Sequence, residues 1–344
     1  MLNAKKEVTD MSYPKPLQEK TIRRRYNEAG ITSEQISFLH RFFTACSNLY
    51  GALCAYDAWE IYKKLVAKTQ VVQLHRKDLY AALGILRRET VPYYVYEEDE
   101  VYSDGKREDK LRVIANRDLI SPGYGKFAEM YHVMDTSAGK PFYVPSDLLE
   151  YEVMPQSEQE KTLLRTLEGM KVTSSIYKSP SGKSFRRKNK GKYLGDFSYD
   201  SAIDEIFSKL SNGALDVPES GKSEDSVSAA QYLVDKLKHE NSVGYFSPGD
   251  IFKEFFDNLS MIGVELRSET QASALMKLIA DMWNNQHIWC NRGWTPSELY
   301  ARSQRSGMPT ISFGPGMQKS FADGSINKQD LTDWLTKHGF GVKE

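Results

Sequence analysis

Apolar residues recur along this chain at the three- and four-residue intervals of helices, and the breaks between those runs carry helix-start chemistry. Thr32 and Gln35 have the spacing of a capping box, in which two side chains satisfy each other's backbone N–H groups, and Ile31 and Ile36 flank them as a hydrophobic staple. Thr295 and Glu298 repeat the box, with Pro296 at the favoured first helical position and Trp294 opposite Leu299 as staple. Ser157 with Glu160, Ser268 with Gln271, Ser247 through Asp250 and Asn327 through Asp330 mark further starts. The spacing predicts helices over 17–29, 33–49, 52–66, 76–88, 126–134, 202–210, 229–238, 248–259, 269–285, 296–302 and 328–337. Leu275, Ile279 and Trp283 put one stripe of the 269–285 helix into a core.

After Pro92 the period changes. Tyr93–Tyr96 and Leu111–Ile114 are rich in strand formers and are separated by a polar, charged loop from Ser103 to Lys110. Three helices followed by a hairpin is the order of a winged helix-turn-helix. The expected fold is therefore mainly α with a small β-hairpin. A winged-helix-like unit covers 1–152, a basic loop, short helix and linker cover 153–228, and a helical unit covers 229–344. Residues 141–144 are expected to be extended. Within the middle stretch, residues 174–195 hold seven cations from Lys178 to Lys192 and no acid, which predicts a mobile basic loop; 211–228, rich in Ser, Gly and acids, predicts a linker.

Composition narrows the function classes. A chain of 344 residues predicts two or three units, and its net charge of zero argues against a surface given over wholly to polyanions while leaving room for a local basic patch. The three cysteines, Cys46, Cys54 and Cys290, make no disulfide framework and point to a reducing compartment. The first residues lack a signal-peptide core, and no run approaches the roughly 20 apolar residues that span a bilayer. The expectation is a soluble cytoplasmic protein with no membrane partner.

Chemistry concentrates in Trp283–Leu299, which holds three of the five tryptophans, three asparagines, an arginine, a cysteine and a histidine. One reading is a helix–turn–helix joint, with Arg292 capping carbonyls and the tryptophans packed. The other is a recognition surface, since Arg and Trp are enriched at binding hot spots. Once cap and staple residues are set aside, Asn284, Asn285, His287, Trp289 and Arg292 remain as a partner surface. His287 and Cys290 have the spacing of half a zinc site, but no second pair lies nearby, so no metal is expected. Cys46 and Cys54 read as buried small side chains on one helical face if the helix runs past Gly51. Glu97–Glu100 lacks the interleaved spacing of a metal loop and reads as a solvated wing edge. Gly314–Ser320 fails the phosphate-loop spacing and reads as a turn.

With six histidines and no spaced nucleophile–base pair, neither a catalytic residue nor a cofactor is expected; a pocket joining His287, Arg292 and a carboxylate would reopen that question. Cations offer a nucleic-acid surface instead: Arg76, Lys77, Arg87 and Arg88 on the predicted 76–88 helix of the winged unit, and Lys183, Arg186, Arg187, Lys188 and Lys190 in the basic loop. The acidic start of the predicted hairpin opposes DNA, so a winged-helix unit used for protein contact stands beside this reading.

Asn284-Asn285, Asn291-Arg292-Gly293, Thr295-Pro296-x-Glu298-Leu299 and Phe313-Gly314-Pro315-Gly316 resemble an uncharacterised bacterial family, found mostly in Gram-positive hosts and their mobile elements. A looser match covers Ser47–Gly51. Family members often end in a SEC-C zinc motif, a cysteine-rich tail like that of the SecA translocase. This chain has no Cys-x-Cys, so neither the zinc nor contacts made through it carry over. The resemblance implies no activity. The expectation is a non-enzymatic binding or regulatory protein that contacts nucleic acid through the basic loop and the winged-helix-like unit. The alternative is a protein-interaction module that docks on a host or phage assembly without nucleic acid.

Overall fold

The computed structural model describes residues 13–121, 125–179, 181–210 and 227–305, and beyond them 310–312, 321, 327–329, 331–332 and 341–343. Two compact units divide the chain, Met1–Trp294 and Thr295–Glu344. Helices dominate, with a small antiparallel sheet, as the periodicity predicts.

The first unit opens with α1 (Glu19–Glu28) and α2 (Ser33–Tyr50). The capping box before α2 forms as its spacing demands: Gln35 N donates to Thr32 Oγ1 at 3.2 Å and Thr32 N to Gln35 Oε1 at 2.9 Å. Gly51, at φ 71°, then ends α2. The chain continues as β1 (Ala52–Cys54), α3 (Ala55–Val66), α4 (Arg76–Leu86), β2 (Tyr93–Tyr96), the single-turn α5 (Glu98–Val101) and β3 (Val113–Asn116). Both sheet pairings are antiparallel, in the order β1-β3-β2, with Leu53 and Val95 each opposite Ile114. β1 corrects the expected helix over 52–66. The positive φ at Gly51 breaks the helix, and pairing with β3 buries Ala52 and Leu53, so tertiary context overrides local propensity. Cys46 and Cys54 therefore sit on different elements.

Next come α6 (Ala128–Ser137), α7 (Glu158–Glu168), β4 (Ile176–Lys178), β5 (Ser184–Arg186), α8 (Tyr199–Leu210), α9 (Ala229–Val243), α10 (Pro248–Ile262) and α11 (Glu269–Asn284). Ser157, Ser228, Ser247 and Ser268 each accept the N–H of the third helical residue, a cap worth about 1 kcal/mol. β4 and β5 pair antiparallel, which corrects the expected loop over 174–195.

Three apolar clusters fill this unit. The first packs α1–α4 with the chain as far as Tyr151, around Leu39, Phe42, Phe43 and Leu83. A second packs α7–α11, around Leu167, Leu237, Leu259 and Ile279. The third draws on both sides, joining Ala52, Leu119 and Val133 to Val243, Trp289 and Cys290. Residue 152, the expected unit boundary, thus falls between two clusters that a third one ties together.

In the second unit the Thr295–Glu298 box forms, at 3.0 and 3.1 Å, ahead of α12 (Pro296–Arg305). β6 (Thr310–Ser312) pairs parallel with β7 (Gly341–Lys343). Residues 328–329 and 331–332 are helical, as expected. The predicted turns at Gly314–Ser320 and Asp323–Ser325, the family-like Phe313–Gly316 and the linker residues 211–226 lie outside the described residues. Among those described, no helix is long and apolar enough to cross a membrane.

Candidate functional site

The cations on and around α4 are mostly spoken for. Arg76 and Lys77 stand exposed in its first turn. Arg87, only 13 % exposed, forks onto Glu100, and its guanidinium also donates to Val95 O at 3.3 Å. Burial works against the Arg87 charge, but Glu100 more than offsets it and the pKa stands above its ordinary value. Burial likewise pushes Glu100 up, and the Arg87 bonds outweigh it, holding the carboxyl below the usual range. Arg88 is half-buried. Arg112 covers the flank of α4, bonding Glu97 at 3.0 Å, Asp109 at 2.6 Å and Tyr80 O at 3.0 Å. Arg107 pairs with Asp99 and Lys110 with Glu108. The Glu97–Glu100 run is thus no solvated edge: α5 aims Glu97 and Glu100 at Arg112 and Arg87.

The β4–β5 hairpin is built differently. Its register sets Tyr177 opposite Phe185, rings 5.2 Å apart, on a half-buried face. Strand alternation then sends Ile176, Lys178, Ser184 and Arg186 to the exposed face. Arg187 anchors the ribbon: it donates to Met261 O at 2.7 Å at the end of α10, and its guanidinium lies 5.2 Å from the Tyr177 ring. Gly263 makes room for it, since a Cβ there would come within 2.8 Å of Arg187 Nε. Burial lowers the Arg187 pKa. The backbone N–H of Lys188 donates to Glu205 at 3.1 Å. Lys183, Arg186, Lys188 and Lys190 are exposed, and so are Lys171, Lys178 and Lys192.

Trp283–Leu299 is chiefly a joint as far as Trp294. Trp289 is 8 % exposed, and its indole N–H donates to Asn48 O at 2.8 Å. Its ring occupies the space over Gly51, where a Cβ would approach within 2.7 Å. Trp294 donates to Pro141 O at 3.0 Å. Arg292, at φ 51°, is the one non-glycine with positive φ among the described residues. Its guanidinium lies 4.2 Å from the Phe142 ring centre and its carbonyl accepts from Tyr143 N at 3.0 Å. His287 sits 2.6 Å from Gly293 O through Nδ1, and a carbonyl can only accept, so Nδ1 carries the proton. In the neutral ring Nε2 then accepts from Tyr151 OH at 3.1 Å. Cys290 is buried, which raises its thiol pKa. Of the five expected surface residues, Asn284 and Asn285 are exposed, His287 and Arg292 are half-buried and engaged, and Trp289 is in the core.

Beside this joint lies a cavity of about 360 Å³. Asn48, Asn116 and Asp118 reach it from α2 and the end of β3; Ser157 and Glu160 come from the start of α7. α9 contributes Asp235, Lys238, His239 and Ser242, and the exit of α11 contributes Asn285, Gln286 and His287. Glu160, 4 % exposed, bonds Lys238 at 2.7 Å. Gln286 donates to Lys238 O at 2.7 Å and Ser242 Oγ at 2.6 Å. His239 pairs with Glu129 at 2.9 Å and sets its edge against Trp289. Asp235 accepts from Gln231 at 2.9 Å; packing around its carboxyl raises the pKa, and Glu160 and Asp118 add to the rise against Gln231 and Lys238. Arg292 lies on Phe142, outside these walls. Sequence reasoning found only Asn285, His287 and Trp289 of this lining. The overlooked signal was on α9, where Asp235, Lys238, His239 and Ser242 form a polar i, i+3, i+4, i+7 stripe on a helix that otherwise buries Leu233, Val234 and Leu237.

No protein-family model, curated protein or solved structure matches the chain.

Proposed function

We propose that this protein is a binding or regulatory protein that contacts the backbone of a nucleic acid through the β4–β5 ribbon and the segment after it. One observation carries the reading: Lys178, Lys183, Arg186, Lys188, Lys190 and Lys192 are exposed within a stretch, 174–195, that contains no acid. Such an array attracts phosphate without reading bases and releases counterions on binding, so its affinity falls steeply with salt. The N-terminal unit supports a winged-helix-like reading through the order α2, β1, α3, α4, β2, β3, interrupted by the single-turn α5 between the last two, and through the β1-β3-β2 sheet. Its share of the contact is small, because Arg76 and Lys77 are the exposed cations of its expected set. Fluorescence anisotropy with labelled duplex DNA, single-stranded DNA and RNA across a salt series is the test. Binding at low salt that weakens linearly on a log–log plot is expected; no binding to any of the three at about 25 mM salt removes the reading.

A protein-interaction module, docking on a host or phage assembly, is the second reading. The ion-paired flank of α4 favours it, because Arg87 and Arg112 are neutralised by Glu100 and Glu97 and leave a surface with little pull on phosphate. A stoichiometric protein recovered by pull-down after nuclease treatment, together with flat anisotropy, decides for it.

A further inference from the structure

We infer that the cavity bounded by α2, α7, α9 and the exit of α11 binds a small organic cation, an alkyl amine or guanidinium compound. At about 360 Å³ it falls within the roughly 300–1,000 Å³ of small-molecule sites. Charged and amide side chains interrupt its apolar walls, so it is not the dry void that wholly apolar cavities form.

Charge sets the ligand's sign. Three carboxylates line the cavity from three separate elements: Asp118 after β3, Glu160 on α7 and Asp235 on α9. Lys238 is the lysine among the lining residues, and its bond to Glu160 accounts for one carboxylate. Asp118 and Asp235 are left in surplus, and the Gln231 amide that bonds Asp235 brings no charge. His287 is engaged by Gly293 O and Tyr151 OH, and any charge on His239 is met by Glu129. The two helix ends at the cavity oppose each other: the start of α7 favours anions and the exit of α11 favours cations. A cation therefore gains what an anion loses.

The remaining walls point to an organic cation rather than a metal ion. Among the described residues no group of three or more His, Cys, Asp or Glu side chains is placed to hold a metal. Met154, Met282 and the Trp289 ring instead offer apolar surface to a methylene stem. An ammonium or guanidinium head then meets the carboxylates. Residues of all three apolar clusters border the cavity or bond its lining, namely Tyr151, Met282 and Trp289, so a bound ligand stabilises the joint between them.

Four probes of similar length test this on the intact protein without nucleic acid: putrescine and agmatine as cations, 1,4-butanediol as the neutral analogue and succinate as the anion. Isothermal titration calorimetry and thermal shift are the readouts. Saturable binding of putrescine or agmatine with a rise in Tm is expected, with no response to butanediol or succinate. The double variant Asp118→Asn, Asp235→Asn, with its fold checked by circular dichroism, should weaken cation binding at least tenfold. The proposal is overturned by no saturable cation binding up to about 10 mM, by equal binding of butanediol, or by unchanged affinity in the double variant. Should that variant misfold, Asp118→Asn alone, at an exposed residue, must still weaken binding, and unchanged affinity there overturns the proposal equally.

Discussion

Two regions of the molecule carry similar runs of arginine and lysine and put them to opposite use. Around α4 and the β2–β3 hairpin Arg87, Arg107 and Arg112 each have a carboxylate partner, and Glu97, Glu100, Asp99 and Asp109 supply the partners from nearby in sequence. Along the β4–β5 ribbon the cations have no acid within their own stretch, and the one arginine drawn inward, Arg187, bonds carbonyls at the end of α10. A desolvated pair must keep both partners, so it fixes shape; an exposed array keeps its field. Which of the two a basic run becomes depends on the acids within reach and not on the count of cations.

The largest effect that tests this contrast is on binding. Replacing Lys183, Arg186, Lys188 and Lys190 with Gln should lower duplex affinity roughly 10³-fold at about 0.1 M salt, if each contact contributes about 0.9 to the log–log salt slope. Anisotropy should show the slope falling by ~3 to 4 while Tm stays put. The pair Arg76→Gln, Lys77→Gln should cost no more than about tenfold by comparison; an equal loss would abolish the distinction between the two regions.

Stability should answer in the opposite sense. Arg87→Ala leaves Glu100 desolvated and unpaired, at a cost of about 3 kcal/mol in urea unfolding, with no change in salt slope. Because the folded Glu100 pKa is lowered, the pair contributes fully above the ordinary carboxylate pKa of about 4 and its contribution is lost as pH falls through the folded value. The gap between wild type and variant should therefore narrow in acid; a gap that is constant with pH would mean the pair is not its source.

The caps explain why so many helices were legible: Thr32 with Gln35 and the four N-cap serines act within three residues of themselves. What escaped depends on distant partners. β1 is three residues long and exists because Gly51 stops α2 beside β3. The β4–β5 ribbon offers only one cross-strand aromatic pair, Tyr177 and Phe185, and its anchor sits on α10. Trp289 reads as part of a surface in the sequence because its hydrogen-bond partner, Asn48, lies 241 positions away. The cavity draws on five stretches of chain; the sequence points to one of them through Asn285, His287 and Trp289, and the polar stripe of α9 is the signal within another.

The joint itself is open to a glycine pair. Gly51 and Gly30 share positive φ, 71° and 70°, so alanine at either costs at least about 1 kcal/mol in backbone strain. A Cβ at Gly30 meets nothing within 4 Å, whereas one at Gly51 comes within 2.7 Å of the Trp289 ring. Gly51→Ala should thus lose about 2 kcal/mol more than Gly30→Ala in urea unfolding. Equal losses would show that Trp289 is not seated as described and would return it to the surface set with Asn284 and Asn285.

The smallest effect concerns a charge held where it is not wanted. Asp235 lines the cavity with its carboxyl pKa raised, first by packing around it and then by Glu160 and Asp118. For a carboxyl whose folded pKa exceeds its unfolded value, ionisation opposes folding above the folded pKa, and the penalty vanishes once both states are protonated. Asp235→Asn should therefore raise Tm slightly at pH 7, with the two curves meeting below about pH 4. The exposed lysines of β4–β5 carry no such penalty, since water solvates them, and their replacement by Gln should leave Tm flat across the same pH range. A lower Tm for Asp235→Asn at pH 7 would mean that the Asp235 charge is satisfied by the protein itself, and the surplus that calls for a bound cation would shrink to Asp118.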